Sequence, residues 1–209
     1  MSKNPFTQIT PEQQFWRWFE KNEDMLFDFE RDQDRIFDKL ASQLNRVNPH
    51  LSFEFGPAKG GKRELVISAS GIKDAFEATL ALLRAAPSME RWQITAFRPR
   101  RWPLNTIYFK DKEVDPKNVR FTLLQKGSKV GIRLYIPGFV SQEIVWKEIA
   151  YLLLDEALGE FDVETKVGLI DVRTLEADSQ FTQFPLEELP QHFDELTAGL
   201  DGTASPRPS

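Results

Sequence analysis

The hydrophobic period of this chain changes at Asn48-Pro49, from the value of an α-helix to that of a β-strand. Before that point apolar residues recur every three or four positions. Phe15, Trp18, Phe19, Leu26 and Phe29 do so first, then Ile36, Phe37, Leu40, Leu44 and Val47. That spacing is one face of a helix. Thr10 is suited to the N-cap, Pro11 to the first helical position, and Gln13 completes a capping box. Charged residues 30–34 are expected to interrupt the run, so residues 10–47 read as a helical pair. After Asn48-Pro49, Leu51, Phe53 and Phe55 alternate with Ser52 and Glu54, which is strand spacing. A helix cannot continue into the residue before a proline without steric cost.

The order of patterns then repeats. Residues 51–55 form a strand, Gly56 to Gly61 a turn, 64–68 a return strand, 72–83 a helical stripe and 92–96 a third strand. Later, 119–125, the turn at 126–129, 130–136, a helix capped by Ser141 and running to Leu158, and a strand over 163–172 follow in the same order. The offset is about 70 residues within the boundary error of such readings. Gly159 is expected as the left-handed stop of the long helix. That helix is apolar around much of its circumference, which predicts burial between layers. Residues 100–116 form an irregular connector with a short strand at 106–109. A last helix follows Pro185.

The predicted fold class is therefore α+β. A mostly antiparallel sheet of six or more strands is built from two ββαβ units, with helices on one face and an N-terminal helical pair alongside. The expected organisation is 1–48 for the helical pair and 49–200 for the α+β domain, with units at 49–99 and 117–174 plus a C-terminal helix. Residues 201–209 are expected to be a disordered tail.

Composition excludes several chemistries. The chain has 209 residues and no cysteine, so disulfides, thiol catalysis and thiolate metal sites are out. No apolar run reaches the roughly 18 residues of a membrane helix, and the N-terminus lacks an apolar signal core. A cytoplasmic location is expected. The net charge of −5 conceals an asymmetry: −2 over residues 1–83, +8 over 84–133 and −11 over 134–209. Two readings stay open. Either the basic middle marks a surface for an acidic partner, or the basic and acidic blocks face each other in one fold.

The candidate motifs are few. Gly56-Pro57-Ala58-Lys59-Gly60-Gly61-Lys62-Arg63 follows a phosphate-binding loop for seven positions. It ends in Arg63 where a magnesium-holding hydroxyl belongs, and it opens a strand rather than a helix. Asp28, Glu30, Asp32 and Asp34 alternate as at the start of a calcium loop, without its glycine or closing glutamate. His50 and His192 have no nearby second ligand, so no metal site is assigned. No catalytic residue and no cofactor are assigned either. The remaining cluster is Arg98, Arg100 and Arg101 beside Trp102. Three guanidinium groups and an indole could hold an anion or a partner. The competing reading pairs them with carboxylates of the same fold, for which Glu156, Glu160 and Asp162 are placed. The ligand- or partner-binding candidates are thus Arg98, Arg100, Arg101, Trp102 and Glu160. Trp16, which stands off the main apolar stripe of its helix, joins them as a contact anchor.

Residues 64–69, Gly71-Ile72, Phe76, Ala86-Pro87, Trp92 and Ala96-Phe97-Arg98-Pro99-Arg100 resemble a family of uncharacterised bacterial cytoplasmic proteins with no established activity. The likeness extends loosely from the N-terminal helices to Leu158-Gly159-Glu160. It implies a bacterial setting and one integrated fold, and carries no catalytic assignment. A non-enzymatic binding or protein-interaction module is the expected function. The alternative is an enzyme or small-molecule binder that takes an anionic ligand through the arginine cluster. The expected partner is another protein. Nucleic acid and membrane are not expected, and a homodimer is left open.

Overall fold

The computed structural model describes residues 9–141, 143–175 and 180–201. The chain is α+β and divides into two compact units, Met1–Phe97 and Arg98–Ser209. The division falls at Phe97/Arg98, beside an expected organisation of a helical pair over 1–48 and ββαβ units over 49–99 and 117–174. The N-terminal helices therefore share a unit with the strands that follow them.

The first unit opens with α1 (Pro11–Lys21), α2 (Glu23–Phe27) and α3 (Gln33–Val47). The capping box forms. Thr10 Oγ1 accepts from the Gln13 amide at 3.3 Å, and Gln13 Oε1 accepts from the Thr10 amide at 3.2 Å. The break between helices is longer than expected and holds α2 and a 3-10 turn over Phe29–Arg31. Strand β1 (Ser52–Phe55) pairs antiparallel with β2 (Arg63–Ser68). Helix α4 (Phe76–Arg84) then returns the chain so that β3 (Trp92–Ala96) pairs parallel with β2. A crossover helix makes parallel pairing available, because it carries the chain back to the starting end of the sheet. Phe15, Phe19, Leu40, Leu44, Leu65 and Ile67 form one core with Leu82. The apolar stripe of α1 and α3 is buried with β2 residues in this core.

The second unit contains the hairpin β4 (Ile107–Phe109) and β5 (Lys112–Val114), of which the sequence reading had only the first strand. Then come β6 (Arg120–Lys126), β7 (Lys129–Tyr135), α5 (Val145–Leu158), α6 (Glu160–Lys166), β8 (Val167–Arg173), β9 (Phe184–Pro185) and α7 (Leu189–Asp201). The sheet order is β8-β7-β6-β9, with β7 and β8 parallel. One side of this sheet packs through Phe121, Ile132 and Leu134 onto Ile149, Leu153 and Phe193.

Four expectations change. The strands belong to three sheets of three, two and four strands among the described residues, not to one. The long helix starts at Val145 behind Ile144, which makes no side-chain cap, and not at Ser141. The run 163–172 is not one strand. Its first part is α6, because the Val163 amide bonds the Gly159 carbonyl at 3.1 Å and so continues a helical turn. Finally, Gly159 has φ +80° and ψ 143°, a glycine-only extended conformation rather than a left-handed helical stop. Of the expected tail, residues 202–209 lie outside the described residues, while Asp201 ends α7.

Candidate functional site

The arginine cluster sits against the α5–α6 junction, and its backbone is pinned there. The Glu160 amide donates to the Arg98 carbonyl at 2.9 Å, and the Arg98 amide donates to Glu160 Oε2 at 3.1 Å. The Arg101 amide donates to the Glu156 carbonyl at 2.8 Å. Gly159 permits this approach. A Cβ there would lie 3.3 Å from the Arg98 carbonyl oxygen and 3.4 Å from the Arg100 nitrogen. Both the positive φ and the close backbone therefore demand glycine.

The guanidinium of Arg100 is committed within the fold. Its Nε donates to the Leu158 carbonyl at 2.9 Å. Nη1 donates to Asp194 Oδ2, and Nη2 to Asp194 Oδ1 and Asp162 Oδ2, each at 2.8 Å. The Asp194 contact is a bidentate fork, the strongest arrangement open to these groups. Arg98 Nη1 reaches Asp155 Oδ2 at 3.5 Å, and Asp155 is buried. Arg101 is half-buried on the same segment. Asp162 had been placed as a partner from the sequence. Asp194 had not: it lies on α7, far along the chain, and no local pattern points to it.

Two site expectations need correction. Glu160 is fully buried and spends its carboxylate on the Arg98 backbone, so it offers nothing to an external group. Trp16 is 2% exposed. Its indole Nε1 donates to the Leu82 carbonyl at 2.7 Å, which makes it a core residue of the first unit. Trp102 differs from both, being 72% exposed.

The charge asymmetry is largely discharged inside the second unit. Besides the Arg98 and Arg100 pairs, Lys110 meets Glu148 at 3.0 Å, Lys112 meets Glu143 at 3.2 Å and Arg133 meets Asp171 at 2.8 Å. Each joins a residue of the basic middle block to one of the acidic end block. These contacts also give the connector a path. It runs beside α5 in the opposite direction, from Glu156 near the helix end through Glu148 to Glu143 before its start. Trp102 and Tyr108 stand on this strap, 72% and 73% exposed. Ile144, at the start of α5, is 78% exposed. Ile107 is buried and Phe109 half-buried, so strand alternation turns Tyr108 outward between them.

The weaker motifs are also accounted for. The glycine-rich stretch is the β1–β2 turn, closed by mutual backbone bonds between Lys59 and Lys62. It leads into β2, so no helix N-terminus stands ready for a phosphate. Arg63 is buried, bonded to Glu30 at 2.7 Å and set over the Phe29 ring at 4.6 Å. Asp28 and Asp32 pair with Arg31 and Arg35 on the exposed rim of a shallow groove of about 360 Å³. No group of three or more acidic or histidine side chains among the described residues is placed to hold a metal ion. His192 packs on Phe184 at 4.4 Å.

Asp194 carries a pH-dependent share of the stability. The hydrogen bond from Arg100 holds its carboxyl below the ordinary value. A depressed folded value stabilises fully above the unfolded pKa of about 4 and is lost as pH falls through the lowered value. Arg100→Ala is expected to cost about 1–3 kcal/mol near neutrality, less than a fully buried pair because Arg100 is partly exposed. It should also flatten the fall in melting temperature between about pH 5 and pH 2. Thermal melts across that range on both proteins check this. An unchanged melting point at pH 7 would contradict a structural role for the pair.

Comparison with family models, curated proteins and solved structures returned no match for this chain.

Proposed function

We propose that this chain is a non-enzymatic protein-interaction module of the bacterial cytoplasm, working through the strap and the start of α5. The observation that carries the reading is the exposure of Trp102, Tyr108 and Ile144 while Arg98 and Arg100 meet internal carboxylates. Aromatic side chains left in water are costly and are the residue types that dominate protein contacts. Lys110, Glu148, Lys112 and Glu143 frame them with paired charges, the usual composition of a rim. Among the described residues no helix is long and apolar enough to cross a membrane, which is compatible with this setting. The bacterial cytoplasmic setting otherwise rests on the sequence resemblance.

The alternative is an anionic ligand held by the cluster, in which Arg100 already meets internal acceptors at Nε, Nη1 and Nη2. Quantitative capture from bacterial lysate tests the first reading. Wild type and a Trp102→Ala, Tyr108→Ala, Ile144→Ser triple variant are compared at equal melting temperature. Partners retained at stoichiometric level by wild type should be lost by the triple variant. Identical captures from both proteins would refute the proposal. A phosphorylated or carboxylated compound that raises the wild-type melting point, but not that of Arg98→Ala or Arg101→Ala, would establish the alternative instead.

A further inference from the structure

We infer that β8 is a self-pairing edge through which two copies of this chain form an antiparallel strand pair centred on Val172. This surface is separate from the strap and does not depend on the function proposed for it. In the order β8-β7-β6-β9 both outer strands have one side with no strand partner among the described residues. They are protected very unequally. Strand β9 is two residues long and ends in Pro185, two of the usual devices against edge pairing. Strand β8 has seven residues and contains neither proline nor lysine. Its one irregularity, the extra residue Gly168 between the Val167 and Leu169 register positions, lies at the N-terminal end. The stretch 169–173 stays regular.

The direction of its backbone groups follows from the ladder. The Ile136 amide donates to the Arg173 carbonyl at 3.0 Å, so Arg173 addresses β7. In a parallel pair one residue sends both its N–H and its C=O to the same neighbour, and the next residue sends both away. Leu169, Asp171 and Arg173 therefore bond to β7, while Ile170 and Val172 present their donors and acceptors to the open side. Ile170 and Val172 are only half-buried although their side chains pack on the core, as an uncovered edge requires.

The occupant is identified by charge. Asp171 and Arg173 stand on the same face, two positions apart. Two copies meeting antiparallel about Val172 bring Asp171 of each opposite Arg173 of the other, with Val172 facing Val172 and Ile170 facing Thr174. Directly opposed residues of opposite charge favour a register. Arg173 is 50% exposed and can turn to a second carboxylate. Among the described residues Arg133 and Arg173 both hold Asp171 Oδ2, at 2.8 and 3.2 Å. One carboxylate thus serves two guanidinium groups in each copy, and in the pair each Arg173 stands between its own Asp171 and the other copy's. A register centred on Ile170 would instead oppose Asp171 to Leu169 and engage the bulged Gly168.

Sedimentation equilibrium from about 1 µM to about 1 mM, spanning weak to moderate dissociation constants, tests this. Wild type should show a monomer–dimer equilibrium. Val172→Pro removes the edge-facing donor along with part of the packing of a half-buried side chain, and proline is tolerated on an edge strand. Arg173→Asp sets like charges opposite each other. Each should weaken the dimer at least tenfold with unchanged circular dichroism. Amide exchange at Ile170 and Val172 should slow with concentration in wild type. A monomer throughout the range, a dimer untouched by Arg173→Asp, or edge amides that exchange equally fast in the dimer would each overturn the inference. Arg173→Asp carries the test if Val172→Pro does not fold.

Discussion

Trp16→Ala should cost about 3–5 kcal/mol of unfolding free energy, the range for deleting a large buried aromatic side chain. The indole is 2% exposed and packs edge-on against Phe15 at 4.9 Å and Phe19 at 5.4 Å. Its Nε1 bond to Leu82 adds a second term. Leu82 lies in the last turn of α4, where carbonyls have no partner further along the helix. Trp16 acts as a cap delivered from another helix, and removing it leaves a buried carbonyl without its donor. Trp16→Phe keeps most of the ring and loses the donor, so it should lie well below the alanine variant. Urea denaturation with a shifted midpoint and an unchanged slope is the expected signature. A loss under about 1 kcal/mol would return Trp16 to the surface role that its place off the apolar stripe first implied.

Leu153→Ala should cost about 2–5 kcal/mol, and Leu152→Ala distinctly less. Adjacent positions on a helix point about 100° apart. Leu153 is 1% exposed within the core of the second unit, whereas Leu152 only packs on its margin. Deleting Leu153 leaves a cavity that its neighbours cannot close. Deleting Leu152 exchanges partly solvated surface for more water. Chemical denaturation of both variants checks the ranking, and equal losses would show that α5 is enclosed on both sides. From the sequence the two residues looked equivalent, because an apolar run around most of a helix hides which side the core takes.

Features set by neighbours within a few residues were legible. The Thr10–Gln13 capping box, the switch from helical to alternating period at Asn48-Pro49 and the β1–β2 turn all appear where the residues placed them. Boundaries that depend on a competing local hydrogen bond were not. Ser141 is a good cap in isolation, but the helix begins at Val145; Val163 is a good strand residue, but its amide bonds Gly159. In the cluster, Asp162 was within reach of a local argument because it follows the helix end. Asp194 was not, since only the packing of α7 brings its carboxylate to Arg100.

The residues alone determined α1, α3, β1 to β3, α4, β6, β7 and the body of α5 in their order, because caps, turns and hydrophobic period act over one or two turns of chain, while α2, β5, α6 and β9 escaped them. They also determined that opposite charges reside in separate blocks. Only the tertiary structure decided that three sheets form instead of one, that Trp16 and Glu160 are interior, and that Arg100 faces two aspartates while Trp102 faces water. Those outcomes depend on which distant surface each side chain meets when the core closes. Burial and ion pairing are settled between segments tens of residues apart, and no local spacing records that distance.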